Sequence, residues 1–421
     1  MNTRAIIGAV LLTGMIAGGV PTVQTARAAT TVTFWSRDSD AATVTALVKA
    51  YNASQSAVQV QVTIIPAGQY VTKFGTAVAG GEGPDITAID LIYLPAFAAA
   101  NEMTDITSLA KALPFYKQLS PSHTRLATYQ GKQYAVPFTA EGSILMYNKD
   151  LFQKAGLDSS HGPANWAAIE HDAKAITALG KGYYGWDIAG SCGGCNAFTF
   201  LPMIWASGGD IFNADGTKAT ITTSPPVKAA LAFYHRLWTD GVVPPGAKTD
   251  NGATWTTGFL SGKVGMVSLG AFGIGALKTN PKLNFGVSYI PGQNGNWSSF
   301  AGGDSIGIPR GSHHVAEAWD FIKFCIGQNA QVNIIAKGGT VPVRTDLAAN
   351  AYTKLDARYV TAARAMAAGR TPYSAHYNQL VNDANGPWAS LVYNGIFGNN
   401  LDQTLATAQA AFTKILSSPA Q

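Results

Sequence analysis

The residues best suited to chemistry in this chain are aromatic rings and carboxylates set beside turns. Trp35-Ser36-Arg37-Asp38 closes one β-like run, Asp90 closes another, and Pro137-Phe138-Thr139-Ala140-Glu141 interrupts two more. Trp205 precedes Gly208-Gly209, Trp255 stands among small and polar residues, and Trp297 opens the stretch WSSFAGGD that runs to Asp304. An indole offers a broad rigid face, and carboxylate and Arg side chains offer charge-assisted hydrogen bonds. A pyranose matches that pairing: its C–H face packs on a ring while its equatorial hydroxyls meet the charged groups. Trp238 and Trp319 fall on apolar helical faces and read as core. The carboxylates leave an enzymatic alternative open, because two of Asp90, Glu141 and Asp304 could form a glycosidase pair if they stand roughly 5–9.5 Å apart. No nucleophile elbow, ATP-binding loop, zinc-protease helix or dinucleotide-binding glycine motif is expected, and with them no cofactor. His313-His314 reads as a solvated helix start, so no metal site is expected either.

Those side chains need elements to position them. Thr31–Trp35 reads as a buried strand, and Val44, Leu47, Val48 and Tyr51 then repeat at helical spacing. Val58, Val60, Val62 and Ile64 alternate with polar residues, Gln69–Ala79 reads as a helix ended by Gly80-Gly81, and Ile86–Asp90 reads as a third strand. This β-α-β-α-β order implies a parallel sheet covered by helices, and such sheets bind ligands beyond the carboxyl ends of their strands. Further strands are expected at Gly131–Val136, Ser143–Asn148, Lys263–Leu269 and Asn284–Ile290. Helices are expected at Trp166–Leu179, Val227–Trp238, His314–Ile326 and Leu401–Leu416. No internal repeat is apparent. The alternation fits two α/β lobes.

Composition narrows the class. Of 421 residues 47% are hydrophobic and only 13% charged, which provides for full cores and argues against a disordered or charge-driven binder. The net charge of +5 comes with no basic block interleaved with aromatics, so a nucleic-acid partner is not expected. Arg4 precedes an uncharged run from Ala5 to Val20, and Ala26-Arg27-Ala28 offers a small-residue cleavage site. That order describes a secretory signal over residues 1–28, the alternative being a retained anchor. Its loss would leave 27 basic against 24 acidic side chains. No later stretch reads as long and apolar enough to span a bilayer. Cys192-Gly-Gly-Cys195 in an exported protein reads as a short-loop disulfide. A thioredoxin-like site would need the pair to open a helix after a strand, and zinc would need two further ligands. Cys325 reads as a buried thiol.

Several segments together carry a resemblance. They are TVTFW (31–35), GEGPDITAID (81–90), GKQYAVPF (131–138), LMYNKDLFQKAGL (145–157) with Pro163 and Trp166 beyond it, WASGGDIF (205–212), SGKVGMVSLG (261–270), FAGGDSIGIPRGS (300–312) and GGTVPVR (338–344). In this order the chain resembles the family-1 extracellular solute-binding proteins, the sugar-binding receptors of ABC importers related to maltose-binding protein. The resemblance implies a two-lobed periplasmic-binding-protein fold with hinge-linked parallel-sheet lobes and an interlobe cleft. It implies an N-terminal lobe of about 29–138 plus 292–340, a C-terminal lobe of about 139–291 plus 341–421, and hinge strands at Pro137-Phe138 and Tyr289–Pro291. By position, ligand contacts would fall to Trp35, Asp90, Glu141, Trp205, Trp297, Gly302, Gly303, Asp304 and Arg344, with Trp255 added for its location. The chain departs from lipid-anchored relatives in lacking a Cys after the signal, which points to a freely diffusing periplasmic monomer. The Cys192/Cys195 pair, no part of the family pattern, would be a local staple near the ligand-facing edge of the C-terminal lobe.

The function expected is therefore capture of a carbohydrate, with no catalytic step, for delivery to separate ABC permease subunits. A secreted glycoside-active enzyme remains the alternative of another class. The same fold could also take a polyamine, which would want several acids among its aromatics, or an anion, which would want Arg clusters. The Trp-rich, weakly charged candidates favour a neutral sugar over both, with Trp297→Ala expected to cost more than about 1 kcal/mol of binding.

Overall fold

A computed structural model describes Met1 and residues 29–418, so the expected signal segment lies outside the described residues. In chain order the elements used below are β1 (Thr30–Arg37), α1 (Ala41–Ser54), β2 (Val58–Ile65), α2 (Ala67–Ala79), β3 (Ile86–Asp90), β4 (Ala135–Pro137) and β5 (Glu141–Asn148). They continue with α3 (Trp166–Thr177), β6 (Tyr184–Asp187), α4 (Gly193–Ala206), α5 (Pro225–Thr239), β7 (Val264–Gly270), α6 (Phe272–Leu277) and β8 (Phe285–Ser288). The last are β9 (Trp297–Ser298), β10 (Ala301–Gly302), β11 (Asp304–Gly307), α7 (Val315–Ile326), α8 (Ala357–Ala367), α9 (Pro387–Phe397) and α10 (Leu401–Leu416). Among the described residues no helix is long and apolar enough to cross a membrane.

The first sheet has the order β2-β1-β3-β11-β4. β1 runs parallel to β2 and β3, with Val32 opposite Val60 and Phe34 opposite Ile86. The helical stripe expected from the sequence is buried in α1, where Val44, Leu47, Val48 and Tyr51 meet Phe321, Ile322 and Cys325 of α7 in one core. The second sheet has the order β8-β5-β7-β6, with β10 added to the start of β5. α3, α4 and α5 pack on it through Trp166, Ile169, Phe200, Leu231 and Tyr234 around the buried Trp186.

Both sheets are mixed, not wholly parallel. β11 runs against β3 and β4, because it enters the first sheet from the segment that has just paired with β5 of the second. The expected strand Gly131–Val136 is broken into Lys132–Gln133, which closes a small hairpin with Thr128–Tyr129, and β4. α4 was not foreseen: eleven of its fourteen residues are buried and Pro202 sits inside it, so it shows no polar stripe at helical spacing. The chain crosses between sheets at Phe138–Ala140, where Phe138 N and Thr139 N both donate to the backbone oxygen of Asp304 (2.9 and 3.2 Å). Gly303 makes this crossing possible. Its φ is +118°, and a Cβ there would lie 2.2 Å from the Thr139 carbonyl oxygen.

Candidate functional site

The carboxyl ends of β1 and β3, the start of β5 and the loops after β7 converge on a cleft of about 470 Å³. That is within the range of about 300–1,000 Å³ typical of small-molecule sites. Its charged floor is built by register. The antiparallel pairing of β11 with β3 sets Asp304 opposite Asp90. Arg37, the last residue of β1, reaches both: Nη1 donates to Asp90 Oδ2 (3.2 Å), Nε to Asp304 Oδ2 (3.3 Å) and Nη2 to Asp304 Oδ1. Burial opposes the guanidinium charge, but Asp304 and Asp90 outweigh it and hold Arg37 above its ordinary value. Asp90 Oδ1 also accepts from Ile92 N (3.3 Å), which caps the turn that follows β3.

Two more carboxylates complete the polar lining. Asp40 precedes α1 and accepts from the Ser39 hydroxyl (3.1 Å). Burial, reinforced by the neighbouring Asp304 and opposed by Arg37, raises its pKa to about 7. Glu141 starts β5 and accepts from Phe272 N (3.2 Å). Burial, countered by that amide and reinforced by Asp40, raises it likewise to about 7. Asp90 is also pushed above the usual carboxylate range, by burial first and by Asp304, with Arg37 working against them.

Aromatic rings form the walls. Trp255 and Phe272 meet edge-on at 6.2 Å between ring centroids, and Phe272 is 47% exposed, unusual for so large an apolar side chain. Phe198 and Phe300 pack at 5.2 Å, and Tyr377 closes another side. Gly194 and Cys195 at the start of α4 also line the cleft. Cys192 and Cys195 form a disulfide, and Cys195 N donates to Sγ of Cys192 (3.2 Å). The pair does open a helix that follows a strand, the context the sequence had not revealed because α4 itself was hidden. Cys325 is buried with no disulfide partner.

Of the candidates named from sequence, Asp90, Glu141, Trp255, Gly302 and Gly303 line this cleft, and Asp304 stands behind it as a partner of Arg37. Four others are placed elsewhere. Trp35 packs beside Tyr70 and Phe74, with the Lys73 ammonium 5.1 Å from its ring centre. Trp205 is buried, donates to Asp210 (3.0 Å), lies under the Arg370 guanidinium and faces a separate cavity of about 280 Å³. Trp297 stacks on Tyr289 at 4.0 Å in a two-strand hairpin, 40% exposed. Arg344 is held by Asp346 (2.6 Å) over the Phe115 ring.

Sequence reading missed Asp40, Phe198, Phe272 and Tyr377, and named Arg37 and Phe300 only inside the segments that close the first strand and run from Trp297 to Asp304. The strand-end rule already pointed to two of them. Arg37 is the residue at which β1 ends, two beyond Trp35, and Phe272 lies just past the end of β7. One pattern went unnoticed: Gly303-Asp304-Ser305-Ile306-Gly307 has the spacing of a nucleophile elbow. Here Ser305 is fully buried within β11 with no hydrogen-bond partner for its hydroxyl, not exposed on a strand-to-helix turn, so the spacing carries no nucleophile. A larger cavity, about 960 Å³, lies on another face beside β8 and α8, and it receives none of the candidates. Its Lys278 and Arg358 are already paired with Asp356 (3.3 and 2.8 Å).

Residues 46–368 match the family model of bacterial extracellular solute-binding proteins. A Brucella abortus protein described only as a binding protein is 28% identical, over 72% of this chain and 73% of its own length. The diacetylchitobiose-binding protein DasA of Streptomyces coelicolor is 25% identical, over 74% and 72%. Among solved structures, the cyclic alpha-maltosyl-1,6-maltose binding protein of Arthrobacter globiformis superposes with a TM-score of 0.80 at 24% identity, covering 92% of this chain and 99% of that one.

Proposed function

Since the chain belongs to the bacterial extracellular solute-binding proteins, we propose that it captures a carbohydrate in the cleft between two hinged lobes and delivers it to an ABC import permease, with no catalytic step. The observation that carries this reading is the cleft itself, where the rings of Trp255 and Phe272 and hydrogen-bonding carboxylates line the same space. The lobes are assigned as 29–138 plus 292–340 and 139–291 plus 341–421, with hinge strands at Pro137-Phe138 and Tyr289–Pro291. Sugar would lie with a ring face on Trp255 and Phe272 and hydroxyls toward Asp90 and Glu141. Ligand that binds the closed state more tightly than the open one shifts the hinge equilibrium, and the closed surface is what a permease can read. Export by a cleaved signal over residues 1–28, a periplasmic location and a monomeric state belong to the same proposal.

A binding role is favoured over a glycosidase because the family and the relatives above are binding proteins, and because Asp90 and Asp304 are both engaged by one guanidinium. The test is a thermal-shift panel of carbohydrates on ligand-stripped protein, with each positive sugar recovered and checked for turnover. Ligand at about 100 times its Kd should add roughly 2.7 kcal/mol of stability. A sugar consumed would replace the receptor with an enzyme.

Two tryptophans give opposite expectations in the same assay. Trp255→Ala should weaken sugar affinity by about 1–3 kcal/mol, the scale of a buried aromatic anchor. Trp297→Ala should leave affinity within about 0.5 kcal/mol, the range for substitutions away from such contacts, because its ring is spent on Tyr289. Calorimetry that finds the reverse order would move the ligand to the hairpin face.

A further inference from the structure

The charge of the cleft is not that of a neutral-sugar site. Among the described residues that line it, Arg37 is the one basic side chain, against Asp40, Asp90 and Glu141, with Asp304 directly behind. Arg37 is already shared between Asp90 and Asp304. The side chain bonded to Asp40 is the Ser39 hydroxyl, and Glu141 takes the Phe272 amide. Among the described residues neither makes an ion pair, although the Arg37 charge reaches Asp40. The two are close enough for the charge of Asp40 to act on Glu141, and the half-exposed Phe272 ring stands beside them. Among the described residues no group of three His, Cys, Asp or Glu side chains is placed to hold a metal ion.

We propose, building on the carbohydrate reading above, that the ligand is a sugar bearing a protonated amine, its ammonium received by Asp40 and Glu141 and its ring laid on Phe272 and Trp255. Closing a cleft over unpaired carboxylates removes their hydration without a substitute. An ammonium supplies the missing charge, makes charge-assisted hydrogen bonds to both groups, and is attracted by the neighbouring aromatic faces. A neutral sugar offers hydroxyls alone and leaves the cleft with an excess of acid. Burial first, and the neighbouring carboxylates second, raise Asp40 and Glu141. The charged and titratable groups facing them are Arg37, Asp90 and Asp304 on the first-sheet side and Tyr377 and Tyr359 on the second. Amine affinity should therefore rise as pH increases through about 7 and the carboxylates ionise, until the amine loses its own proton.

The experiment is calorimetric titration of the whole protein with matched triplets that differ at one substituent. Glucosamine, N-acetylglucosamine and glucose form one set, the galactose series a second, and chitobiose, diacetylchitobiose and cellobiose a third, with spermidine as a cation that is not a sugar. The expected result is an amine-bearing member binding at least tenfold tighter than both neutral counterparts, with that preference lost in Asp40→Asn and Glu141→Gln while folding is retained. Neutral members binding as well as or better than their amines would overturn the inference and leave the carbohydrate reading standing. Spermidine binding without any sugar would overturn both. Silence from every amine-bearing sugar also counts against the inference, and whether neutral sugars still bind then decides the broader reading.

Discussion

Replacing Arg37 by methionine is expected to destabilise the protein by about 3–5 kcal/mol at pH 7.5, the cost of removing one partner from a buried charge cluster. The side chain reaches Asp90 and the fully buried Asp304, and nothing else basic lines the cleft among the described residues to take its place. Methionine keeps most of the volume, so the loss reports charge and not a cavity. The sign of the pH dependence follows. Without the guanidinium, burial beside Asp304 holds Asp90 protonated in the folded variant above the pH at which it ionises when unfolded. The variant therefore loses stability as pH rises out of the ordinary carboxylate range, and its deficit against the wild type should shrink between pH 7.5 and pH 5. Urea unfolding at the two pH values measures this, and adding Asp304→Asn to Arg37→Met should recover part of the deficit at the higher one. A deficit below 1 kcal/mol, or one indifferent to pH, would mean that the cluster is open to water and does not organise the floor of the cleft.

The second large effect has the opposite sign for stability. Glu141→Gln should make the ligand-free protein more stable at pH 8 while removing more than tenfold of its affinity for an amine-bearing ligand. Burial raises the folded-state pKa of Glu141 to about 7, above its unfolded value of about 4.3. The folded state therefore holds this proton more tightly than the unfolded one. The stability that this provides is complete below the unfolded value and is lost as pH rises to about 7. Each pKa unit is worth about 1.36 kcal/mol, and allowing for partial exposure of the side chain the loss is about 2 kcal/mol. Glutamine is neutral throughout and its oxygen still accepts from Phe272 N, so it escapes the loss. Thermal unfolding at pH 8 and pH 5 should show a gain of that order at the first and about a quarter of it at the second. A variant no more stable than the wild type at pH 8 would show that water already compensates the Glu141 charge. A gain in stability joined to a loss of affinity is what a site prepared for a cation should display.

Much of the architecture was legible because it is local. Val44, Leu47, Val48 and Tyr51 recur at helical spacing and are the buried face of α1, and Ile86–Asp90 and Leu401–Leu416 have the bounds read from the sequence. α4 was not legible, since a helix buried on nearly every side has no polar stripe to betray its period. β11 was hidden for a different reason: its four residues are all buried and its partners, β3 and β4, lie far away in the chain.

The cleft divides along the same line. Asp90, Glu141, Gly302 and Gly303 could be singled out because a strand end, a crossing segment and a glycine pair are marked by neighbouring residues, and all four line the cleft. Trp35, Trp205, Trp297 and Arg344 looked equally suitable by residue type, yet each is turned onto a partner its own segment does not name: Lys73, Arg370, Tyr289 and Phe115. The sequence by itself determined most of the succession of strands and helices, α4 and β11 excepted, because hydrophobic periodicity and turn chemistry act over a few residues. Only the tertiary structure decided that Asp90 and Asp304 share the Arg37 guanidinium and that, among the described residues, Asp40 and Glu141 are left without an ion pair. Charge balance in a cleft is a sum over distant segments, and it exists only once β11 has paired against β3.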